Sequence, residues 1–304
     1  MILHRPSGAP APNHRQLRAR GAVPASSRTF GIISIMKRIC VTPPEAGRQA
    51  PRLSAADMEV ERTGAGPAVL LVHGSVVGAG RTWRHQLALA ERWSLILPNR
   101  PGFGASPPLP RGDFAAEAPL FAELLGEGAH LVGHSYGAVI ALYAAALRPQ
   151  AVRSLTVSEP GCLRVAAGDA RVDAQVAHGE LLFKSAATFA PLEFLRAFRG
   201  GVGSTHETPA ELEGELLAGA RHLMRERPPW EADPPLEALG RAPFRKLVIS
   251  GGHSPVFERV CDVVAQRLGA ERALIGGRGH TIPATGAAYN ERLQAFLTTC
   301  EHGR

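Results

Sequence analysis

The stretch from Leu131 to Ala146, LVGHSYGAVIALYAAA, constrains this chain more than any other. One apolar run ends in Gly-His-Ser-Tyr-Gly, and a second, alanine-rich apolar run starts at once. A strand must therefore turn directly into a helix, and a lone serine, which adds nothing to a core, stands at the turn. The glycines on either side of Ser135 permit a backbone approach too close for a residue with a Cβ.

The rest of the chain repeats the alternation. AVLLVHG at 68–74, WSLILP, AHLVGH, VRSLTVSEP, RKLVISGG and RALIGG are short apolar runs bounded by Gly or Pro, and MEVERTG reads as an edge strand. Between them TWRHQLALAER, APLFAELLGEG and YGAVIALYAAALRP have helical spacing, the last ended by Pro149. Short buried strands alternating with helices predict an α/β fold with a mostly parallel central sheet flanked by helices. Residues 162–235 break the rhythm with helical segments and no strand, as a helical insertion would.

At 304 residues and 45% hydrophobic, the chain can bury a full core. No apolar run reaches the ~18 residues of a membrane span. The net charge of +7 lies in the leader: residues 1–50 hold eight basic residues against Glu45 alone, and the remainder balances 26 against 26. The globular part is neutral overall and carries no signature of nucleic-acid binding. The leader, residues 1–57, is Pro-, Ala- and Arg-rich and is expected to be disordered. Its composition resembles a transit peptide, but a start at Met36 explains the preceding residues better. Cys40, Cys162, Cys261 and Cys300 are too scattered for a metal pattern or a disulfide framework, which suits a cytoplasmic protein.

In an open parallel sheet the functional groups stand beyond the carboxyl ends of the strands, and Ser135 is at such an end. Gly-His-Ser-Tyr-Gly fits G-x-S-x-G, a turn that presents a serine as nucleophile at the positive end of the following helix. LLVHGS, NRPGFGAS, GHSYG and GRGHTIP, in that order, resemble the oxyanion loop, the glycine-rich loop, the nucleophile elbow and the histidine loop of α/β-hydrolase fold proteins. The resemblance covers roughly residues 58–300. It implies a core of 58–161 and 236–300, a helical cap at 162–235, and a triad in the order Ser, acid, His.

On that resemblance His280 is the base, and the backbone N–H groups of Ser75 and Tyr136 form the oxyanion hole. His73 and His134 are scaffold residues. The usual aspartate of the family is missing, because Ser254 occupies its place in VISGGHSPVFERV. Some members, among them a group of haloalkane dehalogenases, carry the acid at the end of the preceding strand, where this chain has Glu159. Asp262 and Glu258 are the alternatives.

A serine in place of the aspartate nucleophile of epoxide hydrolases and dehalogenases implies an acyl-enzyme. The reading is a serine hydrolase cleaving an ester, lactone, thioester or activated C–C bond of a small, largely apolar carbonyl substrate. A receptor on the same fold and a cofactor-free lyase or oxygenase are the competing readings. No phosphate loop, metal cluster or dinucleotide fingerprint appears, so no cofactor or metal is expected. Phe183, Phe189, Phe194, Phe198 and Leu223, with Trp83 and Phe103, fit either an acyl pocket or internal packing. Arg196, Arg199 and Arg221 read as a solvated face rather than a carboxylate site. The sequence is silent on oligomeric state.

Overall fold

The computed structural model describes residues 53–303. The reading of residues 1–52 as a leader, with Cys40 and Met36, lies outside the described residues. Residues 53–57 already belong to the folded body. Asp57 caps the Ser54 turn, and Glu123 accepts from the Ala55 N–H.

In chain order the elements are β1 Val60–Thr63, β2 Ala68–Val72, α1 Ala79–Thr82, β3 Ser94–Pro98, α2 Phe114–Leu124, β4 Ala129–His134, α3 Tyr136–Leu147 and β5 Val152–Ser158. Then follow α4 Ala170–Lys184, α5 Pro191–Gly201, α6 Gly214–Leu223, α7 Leu236–Arg241, β6 Arg245–Ser250, α8 Pro255–Leu268, β7 Glu271–Leu274 and α9 Ala287–His302. The seven strands form one sheet in the order β1-β3-β2-β4-β5-β6-β7. Only β1 is antiparallel, and it sits at the edge that MEVERTG predicts.

Every residue of β4 is buried, because helices cover both faces of the sheet. On one face α2, α3, α7 and α8 pack around Phe121, Leu142 and Val260; on the other α9 brings Tyr289 and Phe296 onto Val69, Leu71 and Trp83. The segment between β5 and β6, which holds α4 to α6, has a small core of its own around Phe194, Leu195 and Leu223. Val76, from the loop after β2, is part of that core, so the segment is anchored on that loop.

TWRHQLALAER does not form the α-helix its spacing predicts. Residues Gln86–Glu91 wind as a 3₁₀ helix. Gln86 and Leu89, three apart, are its buried positions, which matches a three-residue turn. The Gln86 amide donates to Pro283 O and Asn290 Oδ1, fixing the turn against the loop before α9.

The strand order decides where a site can form. From β2 the chain goes to β3 on one side and then crosses to β4 on the other. The loops leaving β2 and β4 therefore diverge and leave a crevice at the carboxyl ends of those strands. Gly74 and Ser75 follow β2 into it, and Ser135 follows β4.

Candidate active site

From Ala129 to Leu142 every residue except Ser135 is buried. The turn is as tight as the glycines imply: a Cβ on Gly133 would lie 2.5 Å from Gly137 O, and one on Gly137 would lie 2.3 Å from Val72 O and His73 O. Ser135 itself has φ 55°, in the left-handed region. Among the described residues three non-glycines have positive φ: Ser135, Glu159 at 42° and Val76 at 80°. All three stand at the carboxyl ends of the central strands. A non-glycine in this region is strained, and such strain gathers at functional sites.

The sequence-selected side chains meet there. Ser135 Oγ lies 2.8 Å from His280 Nε2, and His280 Nδ1 lies 2.6 Å from Glu159 Oε2. A carboxylate only accepts, so Nδ1 carries the proton, and Nε2 is left to accept from the Ser135 hydroxyl. Phe257 lies against the His280 ring at 4.5 Å between centroids. His134 donates its Nε2–H to His280 O at 2.7 Å and fixes the loop. Burial, then repulsion from His280, holds the pKa of His134 down to about 4, so it is a neutral donor.

Glu159 is buried and accepts from the Gly251 N–H at 2.8 Å. Burial alone would raise its pKa. Hydrogen bonds and charge from His253 and His280 outweigh that and hold it at about 2. His253 lies one residue before Ser254 and is a participant that sequence reasoning missed. Its Nε2 donates to Val202 O at 3.1 Å, and its Nδ1 faces Glu159 Oε1 at 3.2 Å, off the hydrogen-bond direction. With an acceptor facing each nitrogen, the imidazolium form is favoured, and the contact with Glu159 raises its pKa despite burial.

The other candidates are placed elsewhere. Ser254 caps α8. Asp262 pairs with Arg272, and Glu258 binds Ser250 Oγ, the Gly252 N–H and Arg272. Phe194 is buried in the core of the helical segment, Trp83 under the sheet, and Phe103 against His73 and His222. Of the seven apolar candidates, Phe198 and Leu223 line the space beside Ser135.

Opposite the histidine relay lies a buried ion cluster that no local motif signals. Arg100 forms a two-pronged bridge to Glu117 at 2.8 and 3.0 Å and meets Glu226 at 2.8 Å. Burial would depress the Arg100 guanidinium, but the two carboxylates hold its pKa above the ordinary arginine value. Arg100 Nη1 also donates to Gly74 O at 3.0 Å, and so does His73 Nδ1–H at 2.8 Å. His73 Nε2 accepts from the Arg100 N–H at 2.9 Å. Burial, then the Arg100 charge, depresses the His73 pKa to about 3, so this arrangement persists as a neutral tautomer. The Gly74 carbonyl is thus pinned from behind. Because the peptide is trans, the Ser75 N–H points the opposite way. The Tyr136 N–H, in the first turn of α3, has no intrahelical acceptor.

Glu159, His253 and His280 also present three ligand atoms within 4.8 Å of one another. Two nitrogen or oxygen ligands of one zinc ion stand about 3.3 Å apart, given bonds of about 2.0 Å in tetrahedral geometry. The 2.6 Å between His280 and Glu159 is instead a hydrogen-bond distance.

A family model described as "Alpha/beta hydrolase family" matches residues 69–297. The chain belongs to the alpha/beta hydrolase family. It is similar to the pimeloyl-[acyl-carrier protein] methyl ester esterase of Chromobacterium violaceum, 42% identical over 98 residues that make up 32% of this chain and 39% of that protein. The chain spans about two fifths of the length of such esterases. Lipase LipV of Mycobacterium tuberculosis is 29% identical over 247 residues, covering 75% of this chain and 92% of that one. Among solved structures, an alpha/beta hydrolase from Sphaerobacter thermophilus superposes with a TM-score of 0.60 at 22% identity, over 79% of this chain and 96% of that one, a likeness of fold. No helix among the described residues is long and apolar enough to cross a membrane.

Proposed function

We propose that this family member is a serine esterase working through an acyl-enzyme on Ser135, with His280 as base, Glu159 as orienting acid, and the Ser75 and Tyr136 N–H groups as oxyanion donors. The observation that carries the reading is the continuous relay from Ser135 Oγ through His280 to buried Glu159, at 2.8 and 2.6 Å. The esterases and the lipase among the relatives support the reaction class.

In the first half-reaction His280 Nε2 takes the Ser135 proton as Oγ bonds to the substrate carbonyl carbon. The carbonyl electron pair becomes an oxyanion, met by the two N–H groups and the positive end of α3. Collapse expels the alcohol, which takes the proton from His280. Water then repeats the sequence on the acyl-enzyme: His280 takes its proton, its oxygen bonds to the acyl carbon, and the Ser135 oxygen leaves with the proton. Throughout, Glu159 holds the tautomer and balances the imidazolium. The helices within 162–235 serve as the cap over this crevice.

The test is turnover of a p-nitrophenyl ester chain-length series by wild type and Ser135→Ala. Hydrolysis lost by at least ~10⁴-fold in a folded variant supports the reading. No hydrolysis by folded wild type, or hydrolysis that survives the substitution, contradicts it and brings the receptor reading forward.

A further inference from the structure

Two spaces of opposite character meet at Ser135. The wide one, about 480 Å³, is lined by Arg81, Arg84, Arg199 and His206 together with Ser135 and His280. The narrow one, about 40 Å³, lies between Ser135 and Phe198, Leu223, Trp230 and Leu163. The narrow space is thus about a twelfth of the wide one.

Among the described residues no carboxylate pairs with Arg81, Arg84 or Arg199. Arg81 and Arg84 are exposed, as are most arginines here without a carboxylate partner, and Arg84 donates to His85 Nε2 and Arg81 O. Arg199 is half-buried, and its Nη1 donates to Glu207 O and Thr208 Oγ1, leaving Nε and Nη2 uncommitted among the described residues. Glu207 is the single carboxylate among the described lining residues; it is exposed and makes no ion pair there. Burial, then Arg81, lowers the Arg199 pKa, and burial and four arginines (Arg199, Arg84, Arg81 and Arg278) lower that of His206. The three arginines therefore line the space beside the nucleophile without an ion pair to any carboxylate of the described residues, an arrangement that an incoming anion relieves. The narrow space has the reverse character: apolar side chains, among them Leu163, Phe198, Leu223 and Trp230, make most of its lining and suit an uncharged group.

We infer that the substrate is a small ester that also carries a carboxylate: the carboxylate lies in the wide space against Arg199, with Arg81 and Arg84 drawing it in, and a short uncharged group fills the narrow space. This inference rests on the esterase reading of Ser135. The free edge of a guanidinium accepts a carboxylate through two parallel N–H bonds, which sets orientation as well as charge. The expectation that Arg199 is a solvated residue is thereby replaced; Arg196 and Arg221 do not line either space.

The test separates binding from turnover. Calorimetry on Ser135→Ala compares monomethyl adipate with dimethyl adipate at low and at 0.5 M salt, with and without Arg199→Gln or the pair Arg81→Gln and Arg84→Gln. The readout is the ratio of the two affinities, in which any general loss of fold cancels. The half-ester should bind about tenfold more tightly at low salt, and both high salt and the arginine substitutions should pull the ratio towards one. Equal binding of the two esters, or a ratio untouched by the substitutions, overturns the inference even where wild type hydrolyses esters. Preference for the half-ester in a protein whose wild type turns over neither ester leaves the inference standing as a binding preference and overturns the esterase reading instead.

Discussion

Glu159 and Glu226 flank the same serine, are both buried, and are both held near a pKa of about 2, yet they are neutralised in different ways. Glu226, with Glu117, faces first the guanidinium of Arg100, a charge that does not titrate in the working range, and after it the His222 imidazole at 3.5 Å. Glu159 faces two imidazoles, His280 and His253, whose charges can come and go. A fixed counter-charge builds a rigid wall, here the one that pins the Gly74 carbonyl. A titratable counter-charge leaves the carboxylate free to respond when a proton arrives on its neighbour. On the proposed esterase reading, the difference gives scaffold work to one side of Ser135 and proton transfer to the other.

Substitution of each carboxylate can break that comparison. Glu159→Gln keeps the shape but loses the charge opposite His280 Nδ1, and its amide can favour the wrong tautomer. Ester turnover per folded molecule should fall by ~10²–10⁴, beyond anything the loss of a buried charge does to stability. Near-wild-type turnover would remove Glu159 from the relay. Glu226→Gln should do the reverse. It leaves Arg100 buried with half its neutralisation, at a cost on the order of 3 kcal/mol, about 6–12 °C in melting temperature. Turnover per folded molecule should fall less than in Glu159→Gln. A larger loss of turnover than of stability would move the ion cluster from scaffold to chemistry.

The pH dependence of stability sharpens the same contrast. His73 and His134 have folded pKa values depressed to about 3 and about 4, against 6.5 in the unfolded chain. Between pH 6.5 and these values the unfolded state binds protons that the native state does not, so stability falls as pH falls. Glu159 and Glu226 add to the loss between about 4.5 and about 2, for the same reason. His253 runs the other way: its raised pKa contributes stability below pH 6.5 that is lost as pH rises through its folded value. Melting temperatures measured from pH 8 to pH 3 should begin to decline below about 6.5. A flat curve down to pH 4 would mean that His73 and His134 are not held neutral.

The smallest expected effect belongs to His253. Its charge competes with that of a protonated His280 for Glu159, so His253→Gln should move the acidic limb of the kcat/KM profile to higher pH. The plateau should stay within about threefold. An unmoved limb would make His253 a tether between Glu159 and Val202 O and nothing more.

The fold was legible because the strands inside the sheet are short apolar runs bounded by Gly or Pro, a local property, with the polar β1 at its edge. Ser135 was legible for the same reason: the elbow is written in five consecutive residues. Glu159 could be placed at a strand end, but nothing local says that its chain continues to positive φ and that its oxygens meet Gly251, His253 and His280. The ion cluster was not legible at all. Arg100 and Glu226 are 126 residues apart, and buried charge is invisible in a sequence where neither residue stands in an apolar run. The same holds for Arg199, which reads as one exposed position on an amphipathic helix until α5 is seated over the crevice. The 3₁₀ turn at Gln86–Glu91 escaped because its period is set by contacts with Pro283 and Asn290, far along the chain.

The most direct test of the relay is the rate at which a fluorophosphonate modifies the protein, followed by intact mass for wild type, Ser135→Ala and Glu159→Gln. The account predicts one adduct on wild type, none on Ser135→Ala, and a rate lowered by ~10²–10⁴ in Glu159→Gln. An adduct that forms on Ser135→Ala, or a Glu159→Gln protein labelled at the wild-type rate, would contradict it.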